Sequence, residues 1–243
     1  MQYTAKAGVK RDYLKASTLL LRIVSETDEF PQAYLYLGRS YHALGNFDLA
    51  IQFLKYYLEI APDVGAGHFF LGRAYLSRGI PSLAAHELGI AVELEPNNGQ
   101  AAALLGLSFL RSKRSDLASE HLGRAVELDP ENRELYSAYL NTLVVDAIKR
   151  YRSGSLDMAR QMFAFLHEAG YEGPLPLLYL AALEKEAANY QEALHWYDRV
   201  ILFKPDDPLL HIQRAGVLQR MGRTSDAAQV LIAFGFGSED NRP

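Results

Sequence analysis

The sequence predicts an all-α solenoid, a row of antiparallel helix pairs stacked one on the next, and three ladders of residues carry that reading. Ala16, Ala50, Ala84 and Ala118 recur in steps of 34, and Ala159, Ala193 and Ala227 resume the step after one interruption. A second ladder of small residues runs ahead of the first: Gly38, Gly72 and Gly106, continued by Ala181 and Ala215. Pro62, Pro96 and Pro130 close successive units at the same interval. A glycine inside a helix costs about 1 kcal/mol relative to alanine, so its recurrence needs a packing reason. Paired small residues supply one, since they let the two helices of a hairpin approach where larger side chains would overpack. Proline then stops each second helix, because it lacks the donor and clashes with the preceding turn.

The elements follow in order from these ladders. In the first unit, Arg11-Asp12-Tyr13 stands where Gly45-Asn46-Phe47 makes the next turn, so the spacing predicts a turn there and a second helix over 14–24. Its first helix is left with only nine residues, MQYTAKAGV, so the unit is incomplete and the native chain is expected to extend upstream or to start on a half-helix. Units two to four run to Pro130 with apolar residues at three-to-four spacing, as amphipathic helices require. The fifth unit is longer: Ala118 to Ala159 spans 41 residues, seven more than the period. Seven residues make about two helical turns and keep the same face inward. A lengthened first helix over about 134–151 is therefore predicted, turning at Ser153-Gly154-Ser155. Gly170 to Pro174 makes a looser joint; the sixth unit then ends at Pro205, and the seventh turns at Met221-Gly222-Arg223 and ends at Phe234. The organisation expected is one continuous solenoid: units one to four in 1–130, the long-helix unit in 131–173, units six and seven in 174–234, and a flexible tail over 235–243.

Composition excludes several classes of function. With 25 Lys and Arg against 29 Asp and Glu the net charge is −4, which lacks the basic footprint of general nucleic-acid binding. There is no cysteine, so disulfides, thiolate catalysis and cysteine-held zinc are ruled out. No run of about 18 apolar residues is present to span a bilayer, and the start carries no signal-peptide pattern, so a cytoplasmic protein is the expectation. None of the seven histidines stands three or four residues from another on one helix, and no phosphate loop or nucleophile elbow occurs. No catalytic residue, metal ligand or cofactor is expected.

The unit Gly65–Pro96, with Leu71-Gly72, Tyr75, Gly79, Ala84, Leu88, Ala91 and Pro96, resembles the tetratricopeptide repeat, a helix-turn-helix unit of this period. The resemblance covers almost the whole chain, about seven units with the first incomplete and the fifth lengthened. It implies a right-handed α-solenoid whose first helices line a concave groove through repeat positions 2, 5, 9 and 12. Carried onto this chain, the implied groove is Leu35, Arg39, His42, Phe69, Arg73, Leu76, Leu107, Leu110, Leu178 and Ile212. Its floor is expected around Phe69, Leu76, Leu107 and Leu110, with Arg39 and Arg73 at one end. The lysine and asparagine set by which chaperone-tail binders of this fold clamp a carboxylate is missing, as is the asparagine ladder of the glycosyltransferase superhelix; Tyr36, Phe70 and Leu104 stand at its position.

The function expected is a non-catalytic scaffold that binds a protein or peptide partner with an apolar or amphipathic segment. Two alternatives stand beside it: self-association through unsealed solenoid ends, and service as the regulatory region of a larger enzyme. A second candidate surface is a basic edge, Arg111, Lys113 and Arg114 at one turn and Lys149, Arg150 and Arg152 at the next. Cations at helix C-termini also complement the helix dipole, which gives these residues a purely structural role as the competing reading.

Overall fold

The computed structural model describes residues 2–27 and 30–236, with side chains from Val9 onward. Among the described residues there are thirteen helices and no strand. They are α1 (Gln2–Glu26), α2 (Pro31–Ala43), α3 (Phe47–Ile60), α4 (Gly65–Arg78), α5 (Pro81–Leu94), α6 (Gly99–Arg111) and α7 (Ser115–Leu128). Then come α8 (Arg133–Arg152), α9 (Leu156–Glu168), α10 (Leu175–Glu186), α11 (Tyr190–Ile201), α12 (Pro208–Arg220) and α13 (Thr224–Ala233). The chain forms two compact units, Met1–Thr142 and Leu143–Pro243, and the division falls inside α8. In the first unit every helix from α1 to α6 packs on its successor, and α2 also touches α4, and α4 α6. In the second the same succession runs from α9 to α13.

Close approach of paired helices is built on the glycine ladder. A methyl group added at Gly38, Gly72 or Gly106 would lie 2.4, 2.6 or 2.7 Å from Cγ of Leu54, Leu88 or Leu122 respectively. At Gly72 and Gly106 it would also lie 3.1 Å from the carbonyl oxygen of Ala84 or Ala118. The alanine ladder is the other side of that contact: Ala50, Ala84 and Ala118 are fully buried, as are Ala159, Ala193 and Ala227 in the second unit. In the second unit Ala181 and Ala215 take the glycine positions and are buried too.

Six first helices end on one shared device. The residue at the turn has a positive φ, +81° at Gly45, +85° at Gly79, +60° at Lys113, +82° at Gly154, +63° at Ala188 and +77° at Gly222. In each case the next N–H reaches back five residues, as Ile80 does to the Tyr75 carbonyl at 2.9 Å and Arg114 to Phe109 at 2.9 Å. This is the Schellman arrangement, which satisfies carbonyls that a helix end otherwise leaves unpaired. Arg11 occupies the corresponding place in the first unit and is helical. The turn expected at 11–13 is therefore absent, and α1 is one helix of 25 residues. A side chain in the left-handed region costs about 1–2 kcal/mol, a cost that Lys113 and Ala188 bear and that Arg11 avoids by staying helical.

The lengthened helix is present as α8, 20 residues against 13 in α6 and 12 in α10. Polar residues in the junctions act as N-caps: Asn98 accepts from the Ala101 N–H at 3.0 Å and Asn132 from the Leu135 N–H at 3.0 Å. Of the tail expected over 235–243, only Gly235 and Phe236 are described, and they close α13 with the same reaching-back bond, Phe236 N–H to the Leu231 carbonyl at 2.9 Å. The rest of that tail lies outside the described residues. No helix among the described residues is long and apolar enough to cross a membrane.

Candidate functional site

On α2 and α4, residues one helical turn apart hold two arginines against one aromatic ring. The Arg39 guanidinium carbon lies 4.7 Å from the centre of the Phe70 ring and 5.6 Å from that of Tyr36. Arg73 lies 5.6 Å from the same Phe70 ring. Arg73 Nη2 donates to His42 Nδ1 at 3.2 Å, and His42 Nε2 is 2.9 Å from Ser77 Oγ. With Nδ1 accepting from a guanidinium, the neutral imidazole carries its proton on Nε2 and donates it to the serine. Burial, and then the Arg73 charge, push the His42 pKa below its ordinary value. Burial, and then Arg39, likewise lower that of Arg73. Neither arginine has a carboxylate within ion-pair distance among the described residues, whereas Arg78 meets Asp48 at 2.7 Å and Arg150 meets Asp146 at 3.0 Å. Stacking on aromatic faces attracts the cations in part, but does not occupy their in-plane donors, of which Arg73 gives one to His42.

Beside this cluster α1 and α2 enclose a shallow cavity of about 290 Å³, lined by Leu20, Ile23, Phe30, Gln32, Ala33 and Tyr36. Tyr36, half exposed at 50 %, belongs both to the cavity wall and to the arginine stack. The first unit thus offers one surface that passes from a charged half to an apolar half across a single tyrosine.

The predicted groove residues divide. Arg39 is exposed; His42, Arg73, Leu107 and Leu110 are half-buried in the first unit, and Leu178 and Ile212 in the second. Leu35, Phe69 and Leu76 are instead core, at 9 %, 8 % and 4 % exposure, in the cluster built on Leu54, Leu71, Leu88 and Leu105. The expected groove floor at Phe69 and Leu76 is corrected accordingly. Adjacent first helices stand close enough that these side chains fill the gap between them; Phe69 packs edge-on against Phe70 with ring centres 5.0 Å apart.

Two residues of the basic edge, Arg111 and Arg150, have close internal partners. Arg111 Nη1 donates to the Leu76 carbonyl in the last turn of α4 at 2.9 Å, Lys113 is the positive-φ turn residue, and Arg114 is the N-cap of α7, 3.9 Å from Asp116. In the second unit Arg150 pairs with Asp146, and Lys149 and Arg152 are exposed. The histidines at the equivalent repeat positions 68 and 211 serve structure: each bonds the carbonyl of the junction proline six residues before it, Pro62 at 2.8 Å and Pro205 at 2.7 Å. Among the described residues no group of three or more His, Asp or Glu is placed to hold a metal.

Residues 7–64 and 69–133 match the model of the tetratricopeptide repeat, together half of the chain. The chain belongs to the tetratricopeptide repeat (TPR) family. Among solved structures, that of YrrB, a TPR protein with an unusual peptide-binding site, is 21 % identical with a TM-score of 0.54, over 79 % of this chain and 95 % of that one. A chain from the structure of Naa15/Naa10 bound to HypK-THB is 17 % identical with a TM-score of 0.63, over 94 % of this chain and 36 % of that one. The MamA RS-1 ArsTM double mutant is 20 % identical with a TM-score of 0.53, over 68 % of this chain and 94 % of that one. At these identities the likeness is one of fold. No curated protein gives a significant match.

The charged cluster and the cavity draw on residues that the sequence reading left out of the groove, namely Leu20, Ile23, Phe30, Tyr36 and Phe70. Part of the signal was present. Tyr36 and Phe70 each stand three residues before an arginine, Arg39 and Arg73, which on a helix places ring and guanidinium on one face. Leu20 and Ile23 carried no such signal, because their face is set only once α1 is known to run unbroken.

Proposed function

We propose that this TPR chain is a non-catalytic scaffold that captures a peptide or amphipathic helix on the exposed face of α2, α4 and α6. The observation that supports it most is the Arg39–Phe70–Arg73 cluster, two cations without a carboxylate partner among the described residues, on the face where a partner would lie. Charge-assisted bonds from such a pair orient an incoming acidic group, while burial of apolar side chains beside it supplies affinity. Half-buried Leu107 extends the face onto α6, where it occupies the repeat position of Arg73. YrrB shows that a related fold can carry a peptide-binding site. A random peptide library displayed against the full chain tests the reading. Enriched peptides should lose binding to Leu107→Glu and keep it with Trp196→Ala in the second unit. Enrichment of nothing, or of peptides that bind Leu107→Glu as tightly as the parent, would overturn it.

A further inference from the structure

The capture reading leaves open what the partner must carry. The geometry points to one two-part subsite for a peptide that places a carboxylate side chain next to a bulky apolar one, the carboxylate on Arg39 and Arg73 and the apolar group in the α1/α2 cavity. This inference rests on the scaffold reading and narrows it to a class of ligand.

The charged half is built for an anion. Two guanidiniums share the Phe70 ring at 4.7 and 5.6 Å, so both charges stand over one apolar support with no carboxylate among the described residues as counter-ion. Arg73 is held in place from behind by His42, itself fixed by Ser77. A pre-positioned guanidinium loses little freedom when it binds, and its planar fork matches a carboxylate with two parallel bonds. Two like charges so placed repel one another, and an arriving anion relieves that repulsion as well as making its own bonds.

The apolar half has the size and lining for one side chain. About 290 Å³ lies just below the range of pockets for small-molecule ligands and suits a leucine or phenylalanine side chain. Its walls are Leu20 and Ile23 of α1, Phe30, and Gln32, Ala33 and Tyr36 of α2. Phe30 and Tyr36 remain 55 % and 50 % exposed, an aromatic pair that a partner's side chain would cover. Because Tyr36 lines the cavity and also lies under Arg39, the two halves are contiguous and a single short segment can reach both.

Fluorescence polarisation with the full chain tests this. The probes are labelled synthetic peptides with one leucine and one glutamate at varied spacing, each matched by a glutamate-to-glutamine and a leucine-to-serine version. At least one spacing should bind, and each exchange in the peptide should weaken it about tenfold, the loss expected for one charge-assisted or one buried apolar contact. Arg39→Gln with Arg73→Gln should remove the preference for glutamate over glutamine, and Ile23→Asp should remove the preference for leucine. Ile23→Asp and the single Arg39→Gln should keep the parent melting temperature, since Ile23 and Arg39 are exposed, and the single variant should already reduce the preference for glutamate. Added salt should weaken the glutamate peptide more than its glutamine version. Equal binding of the glutamate and glutamine peptides, or no effect of Ile23→Asp, overturns the subsite. If library-selected peptides still depend on Leu107, the scaffold reading survives that failure. A mass that rises with concentration, abolished by Ile23→Asp, would instead assign the face to a second copy of the chain and overturn the peptide subsite.

Discussion

The two units share a backbone plan and differ in what they show on its surface. In both, a small residue on the first helix meets a buried alanine on the second, and the turn between them holds a left-handed residue. In the first unit the residues at repeat position 9 are Arg39, Arg73, Leu107 and Asn141; in the second they are Ala182 and Gly216. A methyl added at Gly216 would meet nothing within 4 Å. In the second unit several polar and aromatic side chains are tied up internally, although Leu202 and Leu209 stand exposed. The Phe163 ring stacks on Tyr179 at 4.8 Å, and the Tyr151 hydroxyl donates to Glu186 at 2.7 Å, a bond that with burial pushes the phenol up to about 12. Glu184 is held by Arg160 and Asn189 at 3.3 and 2.7 Å. The lesson is a separation of duties: small residues at fixed register make the stack, while the residues one position away are free to differ between the units.

That contrast can be broken most severely in the core. Phe69→Glu places a charge among buried leucines and should cost at least the ~3–5 kcal/mol of a large core truncation. Ile212→Glu, on a half-buried site of the second unit, should cost much less. Urea denaturation followed by circular dichroism ranks the two, and equal midpoints would mean that Phe69 is not the core residue described.

The next largest effect compares the two ways of making a hairpin close. Gly72→Ala drives a methyl group into Leu88 and against the Ala84 carbonyl, and should destabilise by about 1–3 kcal/mol although alanine is the better helix former. Ala181→Gly in the second unit creates no clash and should cost about 1 kcal/mol, from helix propensity alone. A neutral or stabilising Gly72→Ala would show that the first unit is not packed as closely as stated.

Smaller still, and opposite in sign, are the turns. Lys113→Gly in the first unit and Ala188→Gly in the second relieve a left-handed side chain, and each should raise stability by about 1 kcal/mol, less the flexibility that glycine adds to the unfolded chain. Gly79→Ala should do the reverse. Thermal melts of the three variants check this together.

Acid gives the mildest distinction. His42 and His121 in the first unit and His167 in the second all have pKa values lowered, chiefly by burial. Each is neutral in the fold over a range where the unfolded chain binds a proton. Their contribution is thus complete above about pH 6.5 and shrinks as pH falls through the window down to each folded value. Stability should fall on acidification through that window, and His42→Gln should flatten the slope without abolishing it. Melting temperatures across a pH series read this out.

Much of the stack was legible in the residues. Alanine and glycine at 34-residue spacing carried the helix pairing because only small side chains satisfy that contact, and the seven-residue excess before Gly154 gave the long α8 directly. The end of the first unit was not legible. Arg11 fits the repeat register as well as Lys113 does, yet one is helical and the other turns, and only the surrounding packing decides between them. Burial along the expected groove was not legible. The repeat positions put Phe69 and Leu76 in the groove floor beside Leu107 and Leu110, yet the first two are core, since a helical position fixes direction and not the distance to the neighbouring helix.

The most direct test of the account is a map of amide chemical shifts on adding a leucine–glutamate peptide to the isotope-labelled full chain. The account predicts that the largest changes fall on Ile23, Phe30, Tyr36, Arg39, Phe70 and Arg73, while Trp196 and its neighbours stay still. Changes concentrated in Leu143–Pro243, or spread evenly along the chain, would contradict it.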